Sequence, residues 1–296
     1  LTNIEDINFL NSYFYQYPGG DGYLYLFQGN IISESFKNFD IFNFLRGDKD
    51  IFYHMPGMRY FIGIEKIIFG NAYYLHLIVL SFLPFILSKL FLLYFSKKIT
   101  LVLMTLFLFF PLMHHMGFSY YQYFRYFTKV FAEPIAYTIF LFGLLRLIYF
   151  YQNSKLLYQT LPFTCLLLTC SCILRPNLSS SSFFLLLFPL YFLIKQKKIK
   201  VLLIFCLSGL TIFLPLFHNL YFGKQFVLFT GAVFTEANIK ITINDYLKLI
   251  SSFTISDEKK IMMIEMFKNF FNPYEVHKYF ILIGVIISFN LTNLKN

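Results

Sequence analysis

Residues 73–95 read YYLHLIVLSFLPFILSKLFLLYF, and this stretch decides the class of fold. Its only Asp, Glu, Lys or Arg residue is Lys89. The hydrocarbon core of a bilayer is crossed by about 20 apolar residues of helix. Inside that core every backbone N–H and C=O must find its partner within the segment, which favours a helix. The stretch therefore predicts a transmembrane helix.

Similar apolar runs recur along the chain, which is 57% hydrophobic and only 14% charged. Soluble domains carry about 25% charged residues. We predict an all-α polytopic membrane protein with a bundle of about seven transmembrane helices. The predicted spans are about 73–95, 99–116, 131–150, 157–174, 178–194, 200–217 and 277–293.

Lysines and arginines between the spans set the predicted orientation. The positive excess lies in alternate loops, at Lys97, Lys98, Lys155, Lys195, Lys197, Lys198, Lys200 and Lys295, with Arg146 near the end of the span that precedes Lys155. Such loops face the cytoplasm in membrane proteins. Residues 1–72, 117–130, 175–177 and about 218–276 are then expected on the outer face. This placement explains the net charge of +10 without a nucleic-acid partner.

The ends of the sequence and its cysteines add little about function. The chain starts with Leu1, shows no signal peptide and stops just after an apolar run, so we expect a piece of a longer protein. Because its first segment is expected outside, a further span upstream is expected if the intact protein starts in the cytoplasm. The four cysteines lie in apolar runs with no zinc-binding spacing.

The first outer segment, residues 1–72, is predicted to carry two interfacial amphipathic helices. YPGGDGYLYLFQGN, residues 17–30, places Asp21 in a glycine turn before a short helix. Its expected apolar face is Leu24, Phe27, Ile31 and Ile32. MPGMRYFIGIEKIIFG, residues 55–70, predicts a second helix after Pro56 and ending at Gly70. The expected face of that helix comprises Met58, Phe61, Ile62, Glu65, Ile68 and Phe69 at helical spacing.

Other polar residues are expected on the same outer face. Glu133 stands at the membrane boundary, where an acidic residue is costly and marks function by default. Arg125 or Arg175 could instead be its structural partner. Arg175 and Asn177 lie in the short turn LRPN, although Arg175 could simply extend its charge to the membrane surface.

Two other outer features favour structural roles. His114 and His115 are adjacent on a helix, so they point in different directions, and interfacial packing is favoured over metal binding. Residues 218–276 contain amphipathic pieces expected to lie on the membrane as structural cover.

An isolated acid in a glycine turn is usually structural, but the surroundings of Asp21 suggest chemistry. A carboxylate at a membrane boundary can deprotonate an acceptor hydroxyl. Arginines on the same face can hold the phosphate of a lipid-linked donor, since their planar fork suits phosphate.

The motifs GGDGYLYL, DIFYHMPGMRYFIGIEKIIFG, AEPIAYTIFLFGLL and LRPN together resemble those of a known group. The chain resembles the GT-C superfamily of polyprenyl-phosphate-sugar-dependent glycosyltransferases, in particular the bacterial protein mannosyltransferases and aminoarabinose transferases. Many members have an acidic pair at the catalytic turn, whereas Gly22 and Tyr23 follow Asp21 here. That departure puts a divalent metal cofactor in doubt.

The resemblance implies an inverting sugar transfer with Asp21 as the general base. It implies substrate binding by Arg59, His54, Tyr53, Arg125, Glu133, Arg175 and Asn177. The implied partners are a polyprenyl-phosphate-linked sugar donor, a lipid, glycan or protein acceptor, and membrane lipids. The implied location is the bacterial inner membrane, with the site facing the periplasm or exterior.

Two other classes of function remain open from the sequence. A transporter or flippase of lipid-linked sugars would often show inverted repeats and broken helices, and no internal repeat is visible. Lys89 is the place to look for a charge within the membrane. A non-catalytic scaffold is the other class, and the structured outer segment counts against it.

Overall fold

A computed structural model describes residues 20–70, 72–110, 119–152, 158–230, 240–252 and 254–271. Within these ranges the chain is helical and contains no strand. Four helices are long and apolar enough to cross a membrane. The all-α class and the presence of membrane-spanning segments are therefore supported by the structure.

Long helices and short connecting turns follow one another along the described ranges. They are α1 (Gly20–Lys37), α2 (Ile41–Arg46), α3 (Gly57–Phe69), α4 (Tyr74–Tyr94), α5 (Lys97–Phe109), α6 (Tyr120–Thr128), α7 (Glu133–Gln152), α8 (Leu161–Leu174), α9 (Ser179–Lys195), α10 (Ile199–Leu210), α11 (Leu214–Gly223), α12 (Ile243–Ser252) and α13 (Asp257–Phe271). Short 3₁₀ turns occupy Tyr158–Thr160, Pro176–Leu178 and Thr211–Phe213.

The four candidate spans coincide with four predicted ones. They are Tyr74–Tyr94, Glu133–Gln152, Pro176–Lys195 and Ile199–Gly223. The predicted span 157–174 is a shorter apolar helix, Tyr158–Leu174. The predicted span 99–116 contains α5, which has 13 residues, and residues 111–118 lie outside the described ranges, as does the predicted span 277–293.

Proline positions explain how these apolar helices begin and bend. Pro134, Pro162 and Pro215 each occupy the second position of a helix. There the missing N–H would have no partner within the helix in any case. Pro84 and Pro189 lie inside α4 and α9. Proline inside spanning helices is tolerated because neighbouring groups can satisfy the freed carbonyl.

The chain divides into two compact units. Unit 1 comprises the described residues of Leu1–Asp50 and Met55–Ile148. Unit 2 comprises the described residues of Ile51–His54 and Tyr149–Asn296. Residues 51–54 thus belong to unit 2 although their neighbours in sequence belong to unit 1.

Helices α1 and α3 of unit 1 pack closely through two glycines. A Cβ atom added to Gly29 would lie 2.5 Å from Cγ2 of Ile62. One added to Gly63 would lie 2.6 Å from Cγ2 of Ile32. Each glycine therefore receives an isoleucine of the other helix, and the contact leaves no room for a larger side chain.

Helix α1 packs against protein mainly through residues outside the apolar face that the sequence predicted. Of the four apolar residues expected there, only Ile32 is buried, while Phe27 is 58% exposed. The buried side includes Tyr25, Gln28 and Gly29 instead. The side of α1 that packs against protein is therefore the small and polar one around Gly29, and contact of Leu24, Phe27 and Ile31 with lipid stays a prediction.

The prediction for α3 is closer to the structure. Met58, Ile62 and Glu65 are buried as expected, and Ile68 is 61% exposed. The placement of α1 and α3 along a membrane surface stays a prediction.

Replacing Gly29 by leucine should destabilise unit 1 markedly. Overpacking a well-packed contact costs about 1–3 kcal/mol because side chains and backbone must shift. The thermal unfolding midpoint of the purified protein in detergent should fall. Tyr23→Leu is the matched control on α1, since Tyr23 is 61% exposed, and it should leave the midpoint nearly unchanged. Equal midpoints for Gly29→Leu and wild type would show that the contact does not matter.

Candidate functional site

Asp21 lies in the first turn of α1, with its side chain exposed. The sequence predicted a glycine turn ahead of the helix, but Gly20, Asp21 and Gly22 are themselves helical. The first turn carries unpaired backbone N–H groups and a partial positive charge, so a carboxylate is favoured there. Tyr25 follows one helical turn later and is buried. Asp21 is thus an accessible carboxylate at the start of a helix that is firmly packed.

Arg59 lies inside unit 1, with none of its surface exposed. Its Nη1 donates a hydrogen bond to the Gly47 carbonyl at 3.0 Å. Burial lowers the pKa of Arg59 to about 10, while Tyr60, Tyr25 and Asp48 favour its charge. Arg59 therefore remains a cation at neutral pH, close to the α1 helix that carries Asp21.

Arg59 and Tyr60 together hold the C-terminal end of α2. The Tyr60 hydroxyl donates to the Leu45 carbonyl at 2.6 Å, next to the Arg59 bond to Gly47. The last carbonyls of a helix have no partner within the helix, and these two side chains satisfy two of them. Gly47 has a φ of +58°, a conformation that favours glycine at this helix end. Arg59 thus has a visible structural role.

A buried acid–base pair joins α3 to the first candidate span. Nδ1 of His76 lies 2.5 Å from Oε2 of Glu65, and the His76 backbone N–H donates to Oε1 at 2.9 Å. The Glu65 and His76 side chains are 0% and 1% exposed. Phe61, Tyr73 and Phe127 surround the imidazole ring. One carboxylate thus satisfies both the ring and the backbone at the start of α4.

Lys66 is a third buried ionisable residue of α3, beside Arg59 and Glu65. Its Nζ donates to Oδ1 of Asn30 on α1. Desolvation lowers its pKa, while nearby Glu65 opposes that shift. Two polar contacts, from Lys66 and from the Glu65–His76 pair, therefore fix α3 between α1 and α4.

Arg125 and Glu133 are the other predicted site residues of unit 1. Arg125 is exposed in the last turn of α6, where a cation suits the negative end of a helix. Glu133 is half-buried in the first turn of α7, where an acid is favoured for the opposite reason. Both residues occupy positions that helix electrostatics alone would select.

In unit 2, residues 51–54 are tied to the end of a candidate span by Asn219. The Phe52 N–H donates to Oδ1 of Asn219 at 2.9 Å, and the Phe52 ring stacks on His218 with centroids 3.8 Å apart. Tyr53 and His54 follow, half-buried, with their rings 4.2 Å apart. Both predicted site residues are therefore positioned by this attachment.

Arg175 directly precedes the 3₁₀ turn between α8 and α9, and Asn177 lies within that turn. Arg175 ends α8 in an extended conformation and is half-buried. Asn177 is 6% exposed, and the buried Ser179–Ser182 follow at the start of α9. Helix α13 packs against this turn. The turn is thus a polar region within unit 2, covered by an amphipathic helix.

The predicted site residues are therefore distributed over both units. Unit 1 holds Asp21, Arg59, Arg125 and Glu133, and unit 2 holds Tyr53, His54, Arg175 and Asn177. Within unit 1, Asp21 and Arg59 lie on two helices that pack together. Within unit 2, Tyr53 contacts His54.

The part of the chain that the structure describes contains no group of three or more His, Cys, Asp or Glu side chains arranged to hold a metal ion. His114 and His115 lie outside the described residues. Among the described residues, therefore, Asp21 belongs to no such group.

Two structural features were missed by the sequence reasoning. Glu65 was included in an apolar face, and an acid at such a position signals that a buried partner is needed. His76, in the first turn of the next helix, is that partner. Asn219 was assigned to an outer loop after residue 217, although the helix continues to Gly223.

Comparison with known proteins adds no relative to this picture. No protein family, curated protein or solved structure matches the chain.

Proposed function

We propose that the protein is a membrane glycosyltransferase that moves a sugar from a polyprenyl-phosphate-linked donor to a hydroxyl acceptor. Asp21 is the general base in this proposal. Its support is the accessible carboxylate in the first turn of α1, on a glycine-packed pair of helices just before the first candidate span. The motif resemblance to GT-C enzymes supports the same assignment.

The proposed step is a single displacement at the anomeric carbon. Asp21 accepts the proton of the acceptor hydroxyl while that oxygen forms a bond to the anomeric carbon. The bond from that carbon to the phosphate oxygen breaks, and polyprenyl phosphate leaves with the electron pair. The configuration of the sugar is inverted. An exposed carboxylate suits this role, because the base must reach an acceptor that arrives from outside the protein.

Cationic groups would stabilise the leaving phosphate. Arg125 is exposed in unit 1, the unit that also holds Asp21, so it is the proposed phosphate ligand. Arg59 is fully buried and already holds α2. Its proposed contribution is therefore a fixed positive field next to α1, rather than direct contact. Glu133, half-buried in the same unit, is a proposed polar contact of the sugar.

The buried Glu65–His76 pair favours a second candidate, a transporter or flippase of lipid-linked sugars. Ionisable residues buried in or beside spans often carry protons in transporters. Both side chains are essentially inaccessible, which also fits a structural role.

The purified protein in lipid vesicles separates the two functions. Vesicles would contain a polyprenyl-phosphate donor with a radiolabelled sugar, together with extracted envelope lipids as acceptors. The glycosyltransferase should release free polyprenyl phosphate and pass the label to an acceptor with inverted configuration. Label that stays on the polyprenyl carrier but crosses to the inner leaflet would support the transporter and contradict the proposal.

A further inference from the structure

A small folded segment is attached to the end of the candidate span Ile199–Gly223. Nδ2 of Asn219, in the last turns of that span, donates to the carbonyls of Val227 and Leu228 at 2.9 and 3.1 Å. Oδ1 of Asn219 accepts from the Phe52 N–H. The Asn219 side chain is fully buried. Residues 225–230 are thus fixed directly to the helix end.

The attachment continues from these residues to α12. The Phe226 N–H donates to the Ile241 carbonyl at 2.9 Å, and the Phe226 ring packs edge-on against Tyr246 with centroids 5.8 Å apart. Phe226 therefore connects helix α12 to the segment that is bound to the end of the span. If the span crosses a membrane, α12 lies near the boundary between lipid and water.

The position of α12 is further fixed by a core and an ion pair. Val227, Ile241, Met262 and Met263 form the buried core, and Tyr246 and Leu249 of α12 pack against it. Nζ of Lys259 on α13 lies 2.8 Å from a carboxylate oxygen of Asp245. This hydrogen bond is the main reason that the pKa of Asp245 falls to about 2. Helix α12 cannot easily rotate to hide another face.

Helix α12 nevertheless exposes three large apolar side chains on one side. Ile243, Leu247 and Ile250 are spaced i, i+4 and i+7, so they form one ridge. They are 49%, 58% and 76% exposed. Lys248 lies on the opposite side of the helix, also exposed. The core therefore uses only part of the apolar surface of this helix.

We propose that the ridge of Ile243, Leu247 and Ile250 inserts into the lipid surface beside the span. The attachment through Asn219 brings the ridge to the membrane boundary, which favours lipid over a soluble partner. An amphipathic helix at that boundary buries its apolar face about 5–10 Å into the region between headgroups and acyl chains. Lys240 is exposed nearby along the chain and suits anionic headgroups. This inference does not depend on the proposed enzymatic activity.

Tryptophan fluorescence offers a direct test, because the chain contains no tryptophan. Ile250→Trp, Leu247→Trp and the control Lys248→Trp would each introduce a single tryptophan into the chain. The proteins would be placed in phosphatidylcholine–phosphatidylglycerol vesicles. The first two should emit at shorter wavelength and be quenched by lipids brominated near the headgroup end of the acyl chain. Lys248→Trp should emit as in water and be quenched by aqueous acrylamide.

Other outcomes would overturn the proposal. Water-like emission from both Ile250→Trp and Leu247→Trp would show that the ridge faces solvent. Short-wavelength emission without quenching by brominated lipid would show that protein, such as a second copy of the chain, covers it. Two ridge positions are used so that a folding defect in one variant does not decide the result.

Discussion

Replacing His76 by leucine should lower the free energy of unfolding by about 3–5 kcal/mol, because it leaves the Glu65 carboxylate buried without its ring partner. The Glu65 side chain is 0% exposed. The backbone N–H of residue 76 would remain as a donor, but the 2.5 Å contact to the ring would be lost. Denaturation in detergent, followed by circular dichroism, would measure the loss.

The double variant Glu65→Leu/His76→Leu is the control for this prediction. Replacing a buried ion pair by apolar residues of similar volume is often neutral. The double variant should therefore recover part of the stability lost in His76→Leu. A different result would be a loss of unfolding free energy in the double variant that equals the sum of the losses in the two single variants. That result would show that the contact between Glu65 and His76 contributes nothing to stability.

Apolar length is the part of this fold that sequence predicts well. A run such as residues 73–95 needs no tertiary information, because the lipid core requires each segment to pair its own backbone. Four predicted spans accordingly coincide with candidate spans. Hydropathy does not tell which side of a helix packs against protein.

The orientation of α1 shows why the face could not be predicted. Phe27 is far more hydrophobic than Gln28, yet Gln28 is buried and Phe27 is exposed. Gly29 and Gly63 decide the orientation, since their missing side chains admit Ile62 and Ile32. The close contact between α1 and α3 depends on which helices pack together. The periodicity of a single helix does not contain that information.

Polar contacts between distant residues were also beyond the sequence. Glu65 and His76 are 11 residues apart, and Phe52 and Asn219 are 167 residues apart. A helix face marks Glu65 as unusual but does not name its partner. For the candidate site, the sequence proposed Asp21 in a glycine turn, whereas the structure places its exposed side chain in the first turn of a helix.

Asp21→Asn should reduce sugar transfer by about 10²–10⁴-fold, because an amide of nearly the same shape cannot accept the proton of the acceptor hydroxyl. Asp21 is exposed, so the fold and the insertion of α4 should be unchanged. Loss of a base acts on the chemical step, so kcat should fall while binding of the lipid-linked donor remains.

Glu34→Gln is the matched control, since Glu34 is the other acidic residue of α1. It removes a carboxylate from the same helix without touching the proposed base, and transfer should continue at the wild-type rate. A similar loss in both variants would indicate a general effect of charge on α1.

The most direct measurement compares transfer by wild type, Asp21→Asn and Glu34→Gln in the same vesicles, at equal amounts of folded protein and with a radiolabelled polyprenyl-phosphate sugar. The proposed chemistry predicts that only Asp21→Asn loses transfer while still binding the donor. Transfer by Asp21→Asn at the wild-type rate would contradict the role of Asp21 and, with it, the assignment as a glycosyltransferase of this type.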